Sequence, residues 1–570
     1  MSLCARCLLI AALLAIATPP ARAQARTYAV DCRADAAGGV LHSLDEVNEL
    51  TLSAKDKLLF ERGTVCRGSL HPKGSGFVID AKGTGPLPVI EAGPRDEAAL
   101  RLFNQEEISI SSLELRGGTT YGVTISGDHG TMHSISLNNL TVSNVRGPLQ
   151  HKESGLVVIK PASPDATFDG VHLDGIRAFD TTQWSGIFIA GGSREHPAQS
   201  VTVTHSVVHD VQGDGIVIFN AANSSIRRSV AWHTGMQHQQ SIGTPNAIWT
   251  WQCDRCDVEE NEAFLTDSPG VDGGAFDIDW GNTMNTVARN FGHETQGYCV
   301  SVFGANGPTR QSAILDNLCL NNGLSPRLAQ RQGAILLMTW GGGSIEGLEI
   351  ARNRIDWKPD GDTPAIRTGS IVQASGVSFH DNEIHTTGTR PVDSTLLYSG
   401  SRNRYFLQGA TVGDLAIAKK SLTREDKPVV AKESPATALQ PAITRTSGWR
   451  LIAVAPSHAG AAPHDLEGLL INLKTAALEY GHGGLKVSLS GDANVLLSAR
   501  DWGLPAGGVA LTAVDDAREA FSLKLVSPAG KVVQTWTAAA APIELGMALR
   551  RSIGAPAYGR LKFEQVRATD

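Results

Sequence analysis

The stretch Val271-Asp272-Gly273-Gly274-Ala275-Phe276-Asp277-Ile278-Asp279-Trp280 alternates apolar and acidic residues over its second half. Read as a strand, Phe276 and Ile278 point one way and Asp277 and Asp279 the other. Two carboxylates on one side of an apolar strand repel each other and gain nothing by burial, so the pattern predicts an exposed face that uses them. One turn of chain earlier, Asn246-Ala247-Ile248-Trp249-Thr250-Trp251 alternates in the same way, with two indoles where the carboxylates stand. Indoles beside paired acids predict a groove that stacks sugar rings and applies acid chemistry to them. A solvated strand face with a structural ladder of aspartates is the competing reading.

Outward from this stretch the chain repeats itself. Apolar strands, often with Gly near the start, recur at 121–125, 155–159, 186–189, 215–219, 247–251, 275–279, 299–303, 334–338 and 364–366. The intervals of roughly 24 to 35 residues are those of one solenoid coil, and a propeller blade needs about 40. A second apolar strand followed by Asn or Ser sits inside the intervals, as at 201–205, 225–229, 347–350 and 377–379. Such coils bury their apolar residues only on their neighbours, so they fold as one stack. Before the repeats, Leu41, Leu44, Val47 and Leu50 have the spacing of a short helix, placed to cover the open end of the stack.

The opening Tyr28-Ala29-Val30-Asp31-Cys32, the phrase Phe60-Glu61-Arg62-Gly63-Thr64-Val65-Cys66-Arg67-Gly68, Pro72-Lys73-Gly74-Ser75-Gly76 and the Gly-Ile-x-Ile coils resemble the pectate-lyase superfamily. The likeness covers about residues 26–410 and implies an all-β right-handed parallel β-helix acting on, or binding, a polysaccharide or oligosaccharide. The superfamily holds lyases, polygalacturonase-like hydrolases and binding proteins. The Asn-Thr-Asp, Asp-Asp, Gly-His-Gly and Arg-Ile-Lys series of polygalacturonases is absent here, as is the Arg-Pro motif of pectate lyases.

With Ile216, Ile248 and Phe276 in one interior row, the outward ladder runs through Val217 and Phe219, Trp249 and Trp251, Asp277 and Asp279, then Ser301 and Phe303. Phe219, Trp249, Trp251, Trp280, Phe303 and His209 are the expected substrate contacts. The expected catalytic set is Asp277 and Asp279, joined by Asp214, His233, Asp272 and His293 from the turns leading into this strand. Hydrolysis by the paired aspartates, without a cofactor, is the first reading. Calcium-dependent elimination is the second, with Asp272, Asp277 and Asp279 as oxygen ligands. It would need a base, yet no Lys or Arg occupies the ladder, and Arg255, Arg289 and Arg310 are nearest in sequence. A non-catalytic glycan-binding or structural β-helix is the third.

Residues 1–25 read as a signal peptide: Arg6 precedes the apolar run 8–17, and Ala21-Arg22-Ala23 offers a cleavage site. That run is too short to span a bilayer, no later run of about twenty apolar residues follows, and a secreted or periplasmic protein is expected. A net charge of −7 over 570 residues, with no basic run, argues against nucleic acid and anionic membrane as partners. The remaining cysteines are expected to pair as Cys32 with Cys66, Cys253 with Cys256, and Cys299 with Cys319. Residues 411–445 read as a linker. Within 446–570, strands at 450–454, 485–489 and 508–512, helices at 465–480, 494–502 and 542–551, and a hairpin over 521–536 are expected. The order resembles the thioredoxin-like fold, but 456–463 holds no Cys where the redox pair should stand, so that unit is expected to be redox-inactive.

Overall fold

The structure is a computed structural model that describes residues 25–36, 38–237, 241–358, 363–369, 372–388, 391–393, 399–407 and 410–412, together with eight strands between 449 and 565. The segments 1–24 and 413–448, which hold the expected signal peptide and nearly all of the expected linker, lie outside the described residues.

Period-two patterning builds a solenoid of three faces. On the first, Ile187, Ile216, Ile248, Phe276, Val300, Ile335 and Ile366 are successive register partners. The second aligns Val203, Ile226, Val258, Val287, Ile314, Ile350 and Phe379. The third aligns Ala178, Val208, Ala231, Ala263, Gly292, Cys319 and Ile355. Apart from Gly292, all of these meet in one buried core that runs the length of the stack. Faces one and two belong to a single 23-stranded sheet, because the strands Ile216–Arg227 and Ile248–Glu259 run through both; the third is a 14-stranded sheet. Pairing in the solenoid is parallel except where Arg404–Leu407 meets Ala410–Val412. These long parallel sheets make the chain a β-helix, and each coil buries its apolar rows only against the coils beside it.

The corner before the third face explains the Asn and Ser that follow the second strand. Glu260, Arg289, Asp316, Arg352, Asp381 and Arg402 all adopt positive φ between 55° and 57°. The residue after each is Asn, and these asparagines stack. The Asn290 side chain accepts from the Asn261 backbone N–H at 2.9 Å and donates to Val258 O at 2.8 Å. Asn317, Asn353, Asn382 and Asn403 continue the same chain of bonds, so backbone groups at a buried corner stay satisfied. In the earlier coils Ser206 and Ser229 occupy these places.

The helix Leu44–Glu49, capped by Ser43, puts Leu44 and Val47 into the first coil's core, where the sequence placed a helix. A second helix, Pro326–Gln332, had no counterpart in the sequence reading. Among the described residues no helix is long and apolar enough to cross a membrane. Disulfides join Cys32 to Cys66 and Cys299 to Cys319, as an oxidising compartment would leave them. The third expected bridge does not form. Cys253 and Cys256 are buried free thiols on the strand Ile248–Glu259. Each turns its S–H into the core, toward Ile218 O and Ala221 O of the preceding coil.

Among the described C-terminal strands, Trp449–Ala453, Gly484–Leu489, Val509–Leu511 and the antiparallel pair Phe521–Val526 with Val532–Ala538 fall where strands and a hairpin were expected, and two others depart from the expectation. Ala476–Gly481, Gly484–Leu489 and Asn494–Leu497 form an antiparallel three-stranded sheet. Helix was expected over the first and third of these. The close pair Gly481 and Gly484 brings the flanking strands into a hairpin, and tertiary pairing overrides the helical spacing. The remainder of the expected helices, including 542–551, lies outside the described residues.

Candidate active site

The outward side of the first face carries the site. Phe188, Val217, Trp249, Asp277, Ser301 and Leu336 are register partners in one row. Two residues along, Ala190, Phe219 and Trp251 form a second row, and Phe303 and Met338 continue it on the far side. The short strand Phe276–Ile278 ends before Asp279, whose N–H still bonds Thr250 O at 3.1 Å. Asp279 therefore falls between Trp251 and Phe303. The acidic rung separates two apolar clusters, one built on Val158, Phe188, Val217 and Trp249, the other on Tyr298, Phe303 and Leu336. Trp251 stacks on Phe219 at 4.3 Å and meets Trp280 edge-on at 5.2 Å. Its indole N–H has no partner among the described residues.

Asp277 does not lie on the open face its spacing predicted. It points away from the coil interior but is only 1% exposed. Ser301 Oγ donates to its Oδ1 at 2.6 Å, and Asn246 Nδ2 donates to its Oδ2 at 3.2 Å. The Asn246 orientation follows from its oxygen, which accepts from the Gly274 N–H at 2.9 Å and the Tyr298 hydroxyl at 2.8 Å. Tyr298 rests against Gly274, where any Cβ would enter the ring. Its hydroxyl also lies 3.4 Å from Asp272 Oδ1. Asp272 and Gly273 both have positive φ, and this turn lifts the Asp272 carboxylate toward the rim. The helix Pro326–Gln332 fastens the turn through Gln332, which donates to Asp272 O at 3.0 Å and accepts from the Tyr298 N–H at 3.0 Å.

Asp214 enters from the preceding coil. Its Oδ1 accepts from the Asn246 N–H at 2.9 Å and Trp249 Nε1 at 3.1 Å, and its Oδ2 accepts from Trp184 Nε1. Lys152 Nζ lies over both indoles, 5.4 Å from each ring centroid. A Cβ on Gly243 would stand 2.7 Å from the Lys152 stem, so that glycine gives the side chain its passage.

Asp214, Asp272, Asp277 and Asp279 lie close enough to act on one another, and all four are pushed above the usual carboxylate range. Burial is the first cause in each case. Asp277 is raised well above it, by burial and then by the charges of Asp279 and Asp272. Asp279 is pushed up to about 7; burial and Asp272 raise it, while the Trp280 N–H and Lys152 oppose the rise. Asp279 and Asp272 are half-buried and reachable, whereas Asp277 and Asp214 are covered. Lys152 favours the ionised forms of Asp214, Asp272 and Asp279.

The structure thus brings together Asp214, Asp272, Asp277, Asp279, Trp249, Trp251, Trp280, Phe219 and Phe303. It does not bring the histidines. His209 and His293 lie on the third face, in a row of stacked rings that runs Phe179, His209, Trp232, Phe264, His293. His293 bonds Glu294 and Glu262, while His209 and His233 bond Asp210. Successive turns sit on different corners of the solenoid, which the repeat length alone does not tell apart. The arginines nearest in sequence, Arg255, Arg289 and Arg310, are paired elsewhere, with Asp254, Glu259 and Glu346. Sequence reasoning missed Lys152, Trp184, Asn246, Tyr298 and Gln332. Lys152 stands about sixty residues before Asp214, and no periodicity links the two. Asn246 opened a stretch already singled out, and its amide was the legible signal.

Among the described residues no three His, Cys, Asp or Glu side chains are arranged to hold a metal ion. Both oxygens of Asp277 are engaged, by Ser301 and Asn246.

No family model matches the chain, and no curated protein does. Among solved structures, a GH136 lacto-N-biosidase from Eubacterium ramulus is similar at 17% identity and a TM-score of 0.44, over 67% of this chain and 68% of that one. The A-module of the mannuronan C-5 epimerase AlgE4 from Azotobacter vinelandii aligns at 16% identity and 0.35, over 61% and 90%. DFA-IIIase from Arthrobacter chlorophenolicus A6, in complex with GF2, aligns at 13% and 0.36, over 62% and 84%. These likenesses assign no reaction to the chain.

Proposed function

We propose that the protein is a glycoside hydrolase that cleaves a polysaccharide or oligosaccharide laid across the first face of the solenoid. The observation that carries this reading is the acidic rung of Asp277 and Asp279, joined by Asp214 and Asp272 and set between two apolar clusters. Four carboxylates at close quarters cannot all ionise near neutrality, so protons are held in the cluster. Asp279 is the general acid: it is reachable, stands beside Trp251 and Trp280, and is protonated up to about pH 7. It donates to the departing glycosidic oxygen as positive charge develops on the sugar ring. Asp272, also at the rim, is the ionised partner. It stabilises that charge and either attacks the anomeric carbon or activates water. Asp277 is a positioning residue: buried and protonated, it keeps a second negative charge from forming next to Asp279. Asp214 and Lys152 lock Trp184 and Trp249 in place beneath the substrate.

The test is a panel of polysaccharides assayed for new reducing ends, with ultraviolet absorbance read in parallel. Hydrolysis yields reducing ends without absorbing products. Unsaturated ends would establish elimination instead, and binding without new ends would leave a carbohydrate-binding protein.

A further inference from the structure

The first face carries a second recess, far from the aspartates. An open cleft of about 690 Å³ lies between residues 69–75, the turn 95–97 and the outward side of the strand Leu100–Phe103. Its floor belongs to the same outward row as the acidic rung. Arg101 is the register partner of Thr124, which leads through Val158, Phe188, Val217 and Trp249 to Asp277. Six inter-strand steps of about 4.8 Å separate the two by roughly 29 Å along the stack.

The cleft is held open by its own bonds. Gln105 is buried, and its Nε2 donates to Pro72 O at 2.8 Å and to Gly74 O at 2.7 Å, which fastens the 69–75 segment to the turn after the strand. Phe103 is 46% exposed there. Around it stand three cations. Lys73 and Arg95 are exposed and have no carboxylate partner among the described residues. Arg101 meets Glu97 at 3.7 Å, with both side chains more than half exposed, a pair that holds the guanidinium only weakly. The Asp96 carboxylate, which also lines the cleft, accepts from the Gly93 N–H at 2.7 Å. The chain carries net charge −7, yet three cations line this recess against two carboxylates, Asp96 and Glu97.

We propose that the cleft is an anchoring subsite for an acidic sugar, a hexuronate or a sulfated unit, in a glycan that runs along the solenoid toward Asp279. Guanidinium groups match carboxylate and sulfate oxygens two at a time, and the Phe103 ring takes the apolar side of the sugar. A neutral glycan would leave Lys73 and Arg95 unanswered. The inference extends the reading of this face as glycan-binding and does not require hydrolysis.

Calorimetry on the full-length Asp279→Asn protein separates the two. Hexa-oligogalacturonate and a heparin hexasaccharide serve as anionic probes, cellohexaose as the neutral one, and a single-stranded hexanucleotide as a non-sugar polyanion. At least one anionic hexasaccharide should bind, more weakly as NaCl rises, while cellohexaose should bind at least tenfold more weakly. Adding Arg95→Gln with Arg101→Gln, or Phe103→Ala alone, should each weaken that binding tenfold or more. In the otherwise wild-type enzyme the same changes should leave turnover of a disaccharide-length substrate unaltered. The proposal is overturned if neither anionic sugar binds, if the added substitutions leave binding intact, if cellohexaose binds equally well, or if the hexanucleotide binds as tightly. Loss of the hydrolytic reading, with salt-sensitive binding retained, would leave this subsite standing.

Discussion

Asp277 and Asp279 are two residues apart and live in different surroundings, one closed over by Ser301 and Asn246, the other at the rim beside two indoles. Their substitutions should therefore separate. Asp279→Asn removes the proton donor and should lower kcat by about 10²–10⁴-fold at unchanged fold. Asp277→Asn keeps a neutral group of the same shape, so a drop of no more than about tenfold is expected. An equal loss in both would mean that Asp277 itself handles the substrate. Lys152 sets the pH range. Its positive charge opposes the rise at Asp279, so Lys152→Met should lift the Asp279 pKa further. A general acid must be protonated, and the basic limb of the kcat profile, near pH 7 in the native protein, should move to higher pH. A fixed limb with only a lowered plateau would make Lys152 a packing residue.

The coil corners are the elements on which stability turns. Asn317 accepts from the Asn290 N–H and donates to Val287 O, both in buried surroundings. Asn317→Ala leaves those groups unpaired and should cost about 2–4 kcal/mol in chemical unfolding. Asn317→Ser should cost less, because serines already serve at this corner at positions 206 and 229. On the outward side of the first face, Trp251 packs between Phe219 and Trp280. Trp251→Ala should raise KM by about tenfold, equivalent to about 1.4 kcal/mol of lost contact, with kcat little changed.

At the scale of the whole molecule, opposite sets of carboxylates shape the pH dependence of stability. Asp31, bonded first of all by Arg33, is lowered to about 2, so its contribution is present above the ordinary carboxylate pKa and disappears as pH falls toward 2. The four raised carboxylates act the other way. Above pH 4 the folded chain holds protons that the unfolded chain has released, so stability falls as pH rises through the window from about 4 to about 7. The melting temperature should accordingly peak on the acid side of neutrality, and Asp277→Asn should flatten its fall as pH rises above the ordinary carboxylate range. The same slope in the variant would contradict the assigned protonation. Thiol mapping gives an independent check of the core: Cys253 and Cys256 should resist alkylation until the chain is denatured, then react without reductant, whereas Cys32, Cys66, Cys299 and Cys319 should require it.

The coil repeat, the outward ladder from Phe219 to Phe303 and the bridges Cys32–Cys66 and Cys299–Cys319 were legible in the sequence. Strand alternation is a local property: once Ile248 and Phe276 point inward, Trp249 and Asp277 must point outward. The Asn and Ser after each second strand were legible as a pattern, though their stacking was not. Which corner a turn occupies depends on coil lengths that vary, and this misplaced His209, His233 and His293. Burial also depends on what covers a face. Asp277 faces outward as its spacing required, yet Tyr298, Asn246 and Ser301 close over it. Lys152 reaches the acids from a loop in an earlier coil, and Gln332 from a helix in a later one. By itself the sequence determined that the chain stacks in coils and which side chains leave the core. Only the tertiary structure decided which carboxylates share a proton and which one meets the solvent, because pKa is set by every charge and dipole nearby in space, whatever its distance along the chain.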